Sequence, residues 1–128
     1  MNDLKFSVSM CVYGKDNPEW FKSAVDSIIE QTKRPDEIVL VVDGPVPDEL
    51  DSIIKTYETL DFFKVIRFAE NKGHGEARRA GLENCSYDLV ALMDADDLSI
   101  PTRFEKQLSE FEKDRDLDLI GGDITEFI

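Results

Sequence analysis

The stretch EIVLVV, Glu37–Val42, is, after its leading glutamate, an unbroken run of apolar, mostly β-branched residues. A strand with one face in water alternates apolar and polar side chains, so an uninterrupted run asks for cover on both faces. Three more segments read as strands: KFSVSMCVY (Lys5–Tyr13), FKVIRFA (Phe63–Ala69) and LVALM (Leu89–Met93). Helical stripes fall between them. Asn17 is placed to cap a helix with Pro18 at its first position. Trp20, Phe21, Ala24, Val25, Ile28 and Ile29 then form one apolar face. Leu50, Ile53, Ile54, Tyr57 and Leu60 mark a second helix, GEARRAGLENC a third and Pro101–Lys113 a fourth. LDLIGGDITEFI reads as a closing strand followed by an incomplete element. Strand and helix in strict alternation predict an α/β fold, a parallel sheet with helices on both faces.

Such a sheet binds ligands beyond the carboxyl ends of its strands. The residues predicted at those ends are polar: Tyr13, Asp43, Glu70 with Asn71, and Asp94 with Asp96. Their convergence on one edge predicts a site. The densest part is LVALMDADDLSIP, where three carboxylates follow a buried strand. Like charges this close repel unless a positive group sits among them. Alternate residues of an extended segment share a side, so Asp94 and Asp96 can face one cation while Asp97 points away or caps the next helix. An oxygen-only donor set suits Mg²⁺ or Mn²⁺, which complete their shells with water and substrate phosphates.

Composition agrees. The 128 residues carry a net charge of −13. That excludes nucleic acid, whose phosphates require a basic surface, and any phosphate ester would need a divalent cation as a bridge. With 41% hydrophobic and 34% charged residues, the chain is globular rather than disordered. Cys11 and Cys85 read as buried free thiols, not a disulfide framework. The start has the pattern of neither a secretory leader nor a membrane span, which predicts a cytoplasmic protein.

The loop NKGHGEARRAG opens as Gly73-His74-Gly75, but the third glycine of a dinucleotide fingerprint would fall at Arg78. No phosphate-cradling P-loop sequence occurs. What remains is a glycine turn into a helix bearing Arg78 and Arg79, favourable for phosphate or simply a solvated basic face. His74 has no nucleophile partner and reads as exposed. Asp43 precedes Gly44-Pro45 and is either a turn former or a ligand contact. Tyr13 is either a stacking platform for a base or a core-edge aromatic.

The segments FSVSMCVYGKDNPEWFKSAVDSIIEQT, DEIVLVVDG, ENKGHGEARRAGL and YDLVALMDADDLSIPTRFEKQL resemble, in this order, the amino-terminal half of the family 2 glycosyltransferases. The resemblance covers essentially residues 1–128. It implies the Rossmann-like, nucleotide-binding half of the nucleotide-diphosphosugar transferase fold (GT-A) and a donor that is usually a uridine-diphosphate sugar. It implies that Tyr13 packs on the base and Asp43 hydrogen-bonds it. Asp94 lies near ribose and metal, Asp96 ligates Mn²⁺ or Mg²⁺, and Arg78 lies near the nucleotide. The chain departs from the family where Val42-Asp43-Gly44-Pro45 stands for D-D-G-S and Arg79 stands for the usual Asn, which leaves open which arginine faces the donor.

The family's general base lies in its carboxyl-terminal half, so the resemblance implies no catalytic base up to Ile128. It implies a part that binds the donor in an inverting, metal-dependent transfer to an acceptor of unknown identity. Relatives build surface polysaccharides, which implies peripheral association with the inner face of the membrane. A domain truncated on its carboxyl-terminal side would also self-associate through the strand that closes the chain. Two rivals share the architecture. A sugar-nucleotidyltransferase needs a glycine-rich basic loop where this chain has YGKDNPEW, and a receiver domain needs acids at Tyr13-Gly14. A non-catalytic nucleotide-binding or interaction module is the alternative from another class.

Overall fold

The computed structural model describes residues 5–96, 98–113 and 125–126. The strands are β1 (Phe6–Val12), β2 (Glu37–Val42), β3 (Phe63–Arg67), β4 (Leu89–Asp94) and β5 (Thr125–Glu126). They alternate with α1 (Pro18–Ile29), α2 (Asp48–Glu58), α3 (His74–Glu83) and α4 (Arg103–Lys113). All strand pairs are parallel, in the order β3-β2-β1-β4-β5. The order reverses direction after β3, so the central strand β1 lies between β2 and β4. There the crossovers diverge and leave a crevice at the carboxyl ends.

β1 explains the layering. Phe6, Val8, Met10 and Val12 point to one face and join a core with Phe21 and Ile28 of α1, Leu50 and Ile54 of α2, and Phe104 and Leu108 of α4. The rings of Phe6 and Phe104 meet edge-on at 5.0 Å. The other face of β1 presents Ser7, Ser9 and Cys11, and there α3 packs through Ala77 and Gly81. These small side chains let the helix approach closely. A Cβ on Gly81 would collide with Ser9 Oγ. Every residue of β2 is buried, as its apolar run requires, and the leading Glu37 is accommodated by Ser7, Ser86 and Lys64.

Local signals shaped the ends of the elements. Asn17 Oδ1 accepts from the N–H groups of Glu19 (2.9 Å) and Trp20 (3.1 Å), and Pro18 opens α1. Two expectations change. Trp20 is 61% exposed and is no part of the core face, because it lies at the margin of the stripe whose buried centre is Phe21, Ala24, Val25 and Ile28. Leu60 lies past the end of α2, although it still packs against the core. The expected closing strand falls mostly outside the described residues; β5 is its described part. Among the described residues, no helix is long and apolar enough to cross a membrane.

Candidate functional site

A cleft of about 390 Å³ opens at the carboxyl edge of the sheet, over the end of β1. Its wall includes Tyr13, Asp43, Asn71, Asp94 and Asp96. The third strand contributes through Asn71, while the neighbouring Glu70 is not part of the wall. Cys11 lies at the base, with Val41 and Asp94 as its register partners on the flanking strands.

Asp43 is 5% exposed, and its carboxylate is engaged within the protein. Lys72 N–H donates to Oδ1 (2.7 Å) and Gly73 N–H to Oδ2 (3.1 Å). Asn71 Nδ2 donates to the Asp43 carbonyl at 3.2 Å. Asp43 therefore builds the loop into α3 and at the same time lines the cleft. A carboxylate has about four lone-pair positions, so two accepted bonds leave room for a ligand donor. Gly44 makes the crossing possible. Its φ is +93°, and a Cβ there would lie 2.7 Å from Asn71 N.

Asp16 belongs to the same wall and had not been expected there. Its carboxylate accepts from Tyr13 N–H at 2.9 Å, while Asp16 N–H donates to Tyr13 O at 3.1 Å. The two bonds close a tight turn that sets where Tyr13 leaves β1. Burial pushes the Asp16 carboxyl above its usual range against the lowering effect of the Tyr13 N–H, and the charges of Asp96 and Asp94 add to the rise. The sequence signal was an acid three residues past a strand end, a common side-chain turn that by itself points to no function.

Asp94 and Asp96 are exposed at the end of β4, and neither forms an ion pair among the described residues. Asp97 lies outside the described residues. No three His, Cys, Asp or Glu side chains among those described converge as a closed metal cage would. The donor set nevertheless fits Mg²⁺ or Mn²⁺, which take few protein carboxylates and keep open positions. The charge of the pair, felt at Asp16, is the uncompensated field that a cation would relieve.

The two arginines of α3 separate clearly. Arg79 is held by Glu76 at 3.0 Å and Glu83 at 3.6 Å on its own helix. Arg78 lines the neighbouring grooves together with Asp94. Arg78 is not in the wall of the main cleft, but its charge reaches Cys11, where it opposes the effects of burial and the nearby acids. His74, the first residue of α3, is exposed and lines the main cleft.

This fold is that of a known class. A family model described as glycosyl transferase family 2 matches residues 7–125, and the chain belongs to that family. It is 41% identical over 124 residues to an uncharacterized glycosyltransferase of Haemophilus influenzae, covering 97% of this chain and 46% of that one. It is 40% identical over 122 residues to the amylovoran biosynthesis glycosyltransferase AmsE of Erwinia amylovora, covering 95% and 46%. It is 37% identical over 123 residues to the UDP-Gal:alpha-D-GlcNAc-diphosphoundecaprenol beta-1,3-galactosyltransferase of Escherichia coli, covering 96% and 45%. The chain thus spans just under half the length of these relatives. The structure of S. aureus TarS 1–349 in complex with UDP has the same fold, with a TM-score of 0.75 at 22% identity over 88% of this chain and 33% of that one.

Proposed function

We propose that the cleft binds the nucleotide of a uridine-diphosphate sugar and forms the donor side of an inverting glycosyl transfer in the synthesis of a surface polysaccharide or glycoconjugate. The observation that carries this reading is the meeting of Tyr13, Asp43, Asp94 and Asp96 on one wall over β1. In this reading Tyr13, 42% exposed, offers its ring to the base. Asp43 accepts the imide N–H of uracil with the lone pairs that the loop leaves free. Asp94 faces the ribose and, with Asp96, holds the divalent cation. Arg78 approaches the donor from the adjoining groove. The cation supplies charge neutralisation of the diphosphate, which makes it a better leaving group.

The chain's own residues bind and orient the donor and leave one face of the sugar open to an acceptor hydroxyl. Deprotonation of that hydroxyl is assigned to the part of the relatives' length that this chain does not span. The galactosyltransferase among the relatives uses UDP-Gal by its name, and the similar TarS structure holds UDP. Both support a uridine donor here.

Calorimetry of the chain with UDP tests the reading. Binding is expected with Mn²⁺ and should weaken at least tenfold in EDTA, with Asp96→Asn losing more affinity than Asp97→Asn. Equal affinity in EDTA would remove the cation, and no UDP binding in any condition would remove the donor site.

A further inference from the structure

Gln31 is 6% exposed and lies just beyond the end of α1, far in sequence from the acidic residues of the cleft. Its side chain is fully used. Nε2 donates to Ile100 O at 2.6 Å and to Ser27 O at 3.0 Å, while Oε1 accepts from Phe104 N–H at 3.0 Å. Its neighbours make further bonds to the same segment. Ser99 N–H donates to Ser27 Oγ at 3.1 Å, and Thr32 N–H donates to Pro101 O at 2.8 Å. The stretch leaving the acidic turn is therefore fastened at four points, Ser99, Ile100, Pro101 and Phe104, to the last turns of α1 and the two residues Gln31 and Thr32 just beyond it.

Arg103 holds the same stretch from the other side. Its guanidinium donates to Ser99 Oγ at 2.9 Å and to Leu92 O of β4 at 3.3 Å. β4 fixes the entry to the turn that carries Asp94 and Asp96, and α1 with Arg103 fixes its exit. A turn between two anchored ends cannot splay, even though its carboxylates repel one another. A buried amide with every bond made is rigid, and losing one partner costs about tenfold in the local opening equilibrium.

We propose that Gln31 is a positioning residue for the acidic turn, holding Asp94 and Asp96 at a spacing suited to a cation and a diphosphate without touching either. The ligand part rests on the donor-site reading above; the anchoring part does not. A general core amide would support the whole fold equally. Gln31 instead spends two of its three bonds on one short segment.

The test uses the full chain and two variants. Gln31→Met keeps the bulk of the side chain and removes all three bonds, and Ser27→Ala removes only the Ser99 anchor. Hydrogen exchange is read over residues 94–104, with β2 as the internal reference, and affinity is read for uridine and for UDP with Mn²⁺. Exchange in 94–104 should rise about tenfold or more in Gln31→Met and less in Ser27→Ala, with β2 unchanged. UDP affinity should fall about tenfold and uridine affinity by clearly less, since of uridine only the ribose faces Asp94. Unchanged exchange in 94–104 for both variants would overturn the proposal. So would an equal rise across the whole chain, or uridine and UDP weakening in proportion. If the parent chain binds no UDP, the donor reading falls and the exchange result still decides the anchoring.

Discussion

Asp43, at the end of β2, accepts a hydrogen bond from the N–H of Gly73, the residue that precedes α3. One buried carboxylate thus shapes a loop and faces a cleft. Asp43→Ala should lose both roles, leaving the Lys72 and Gly73 N–H groups without their acceptor at a cost of about 1–3 kcal/mol. Asp43→Asn keeps one acceptor oxygen but turns an amide group toward a second N–H, so it should fall between wild type and alanine. Thermal or urea unfolding measures the loop role. The base role predicts that wild type prefers UDP over CDP by roughly tenfold or more and that Asp43→Ala narrows the gap.

Asp16 and Asp96 should respond oppositely to charge removal. Asp16→Asn keeps an oxygen for the Tyr13 N–H and lowers the repulsion in the cleft, so UDP should bind in EDTA better than it does to wild type. Asp96→Asn removes a proposed ligand and should weaken the Mn²⁺-dependent part of the affinity. Titrating UDP against each variant with and without Mn²⁺ gives the comparison, and parallel losses would show that Asp16 is also a ligand.

Stability at acid pH should report on Glu37. Burial alone would raise its carboxyl, but hydrogen bonds from Ser86 N–H, the Ser7 and Ser86 hydroxyls and Lys64 outweigh it and hold the group below the ordinary value of 4.5. A lowered folded-state value means the unfolded chain binds the proton more readily. The stabilisation is therefore full above about pH 4.5 and lost as pH falls through the lowered value. Melting temperature against pH should drop in that window, and Glu37→Gln should flatten the drop.

Cys11 should be slow toward thiol reagents although it lies at the base of the cleft. Burial pushes its thiol up to about 11 from 9.0, with Asp43 adding to the rise. A thiol raised this way holds far less thiolate than an ordinary cysteine at neutral pH. Reaction with a disulfide reagent should speed up sharply on unfolding in urea. Fast labelling of the folded chain at Cys11 would contradict this.

Gly81→Ala should destabilise by about 1–3 kcal/mol, because the new Cβ meets Ser9 Oγ. Removing that oxygen should relieve the clash, since Ser9 Cβ would remain at 3.7 Å. The double variant Gly81→Ala with Ser9→Ala should be more stable than Gly81→Ala alone, a coupling that a double-mutant cycle of unfolding free energies measures.

Periodicity made the sheet legible. Glu37–Val42 is a strand over the same six residues in sequence and structure because the five apolar residues after Glu37 leave no side chain suited to a water-facing side. Polar residues at strand ends pointed to the edge where the cleft lies, since a parallel α/β sheet leaves its backbone ends open there. Gln31 and Asp16 could not be read in the same way. Their roles depend on contacts with Phe104 and Ile100, or with Asp94 and Asp96, more than sixty residues away, and no local pattern records such a meeting. Trp20 misled for the opposite reason. Helical spacing says which residues share a stripe but not how much of its width the neighbouring elements cover.

The small side chains under α3 have a consequence for redesign. Where large residues interlock, a helix is held by many atoms and moves little when one of them changes. Against Ser7, Ser9 and Cys11 the separation of α3 from β1 is set by a few atoms. Adding one methyl group at Ser9 or Gly81 would tilt the helix that begins at His74 and carries Arg78. The width of the groove between Arg78 and Asp94, which Ser9 itself lines, could then be tuned from the helix side through Gly81, leaving every residue of the main cleft wall unaltered.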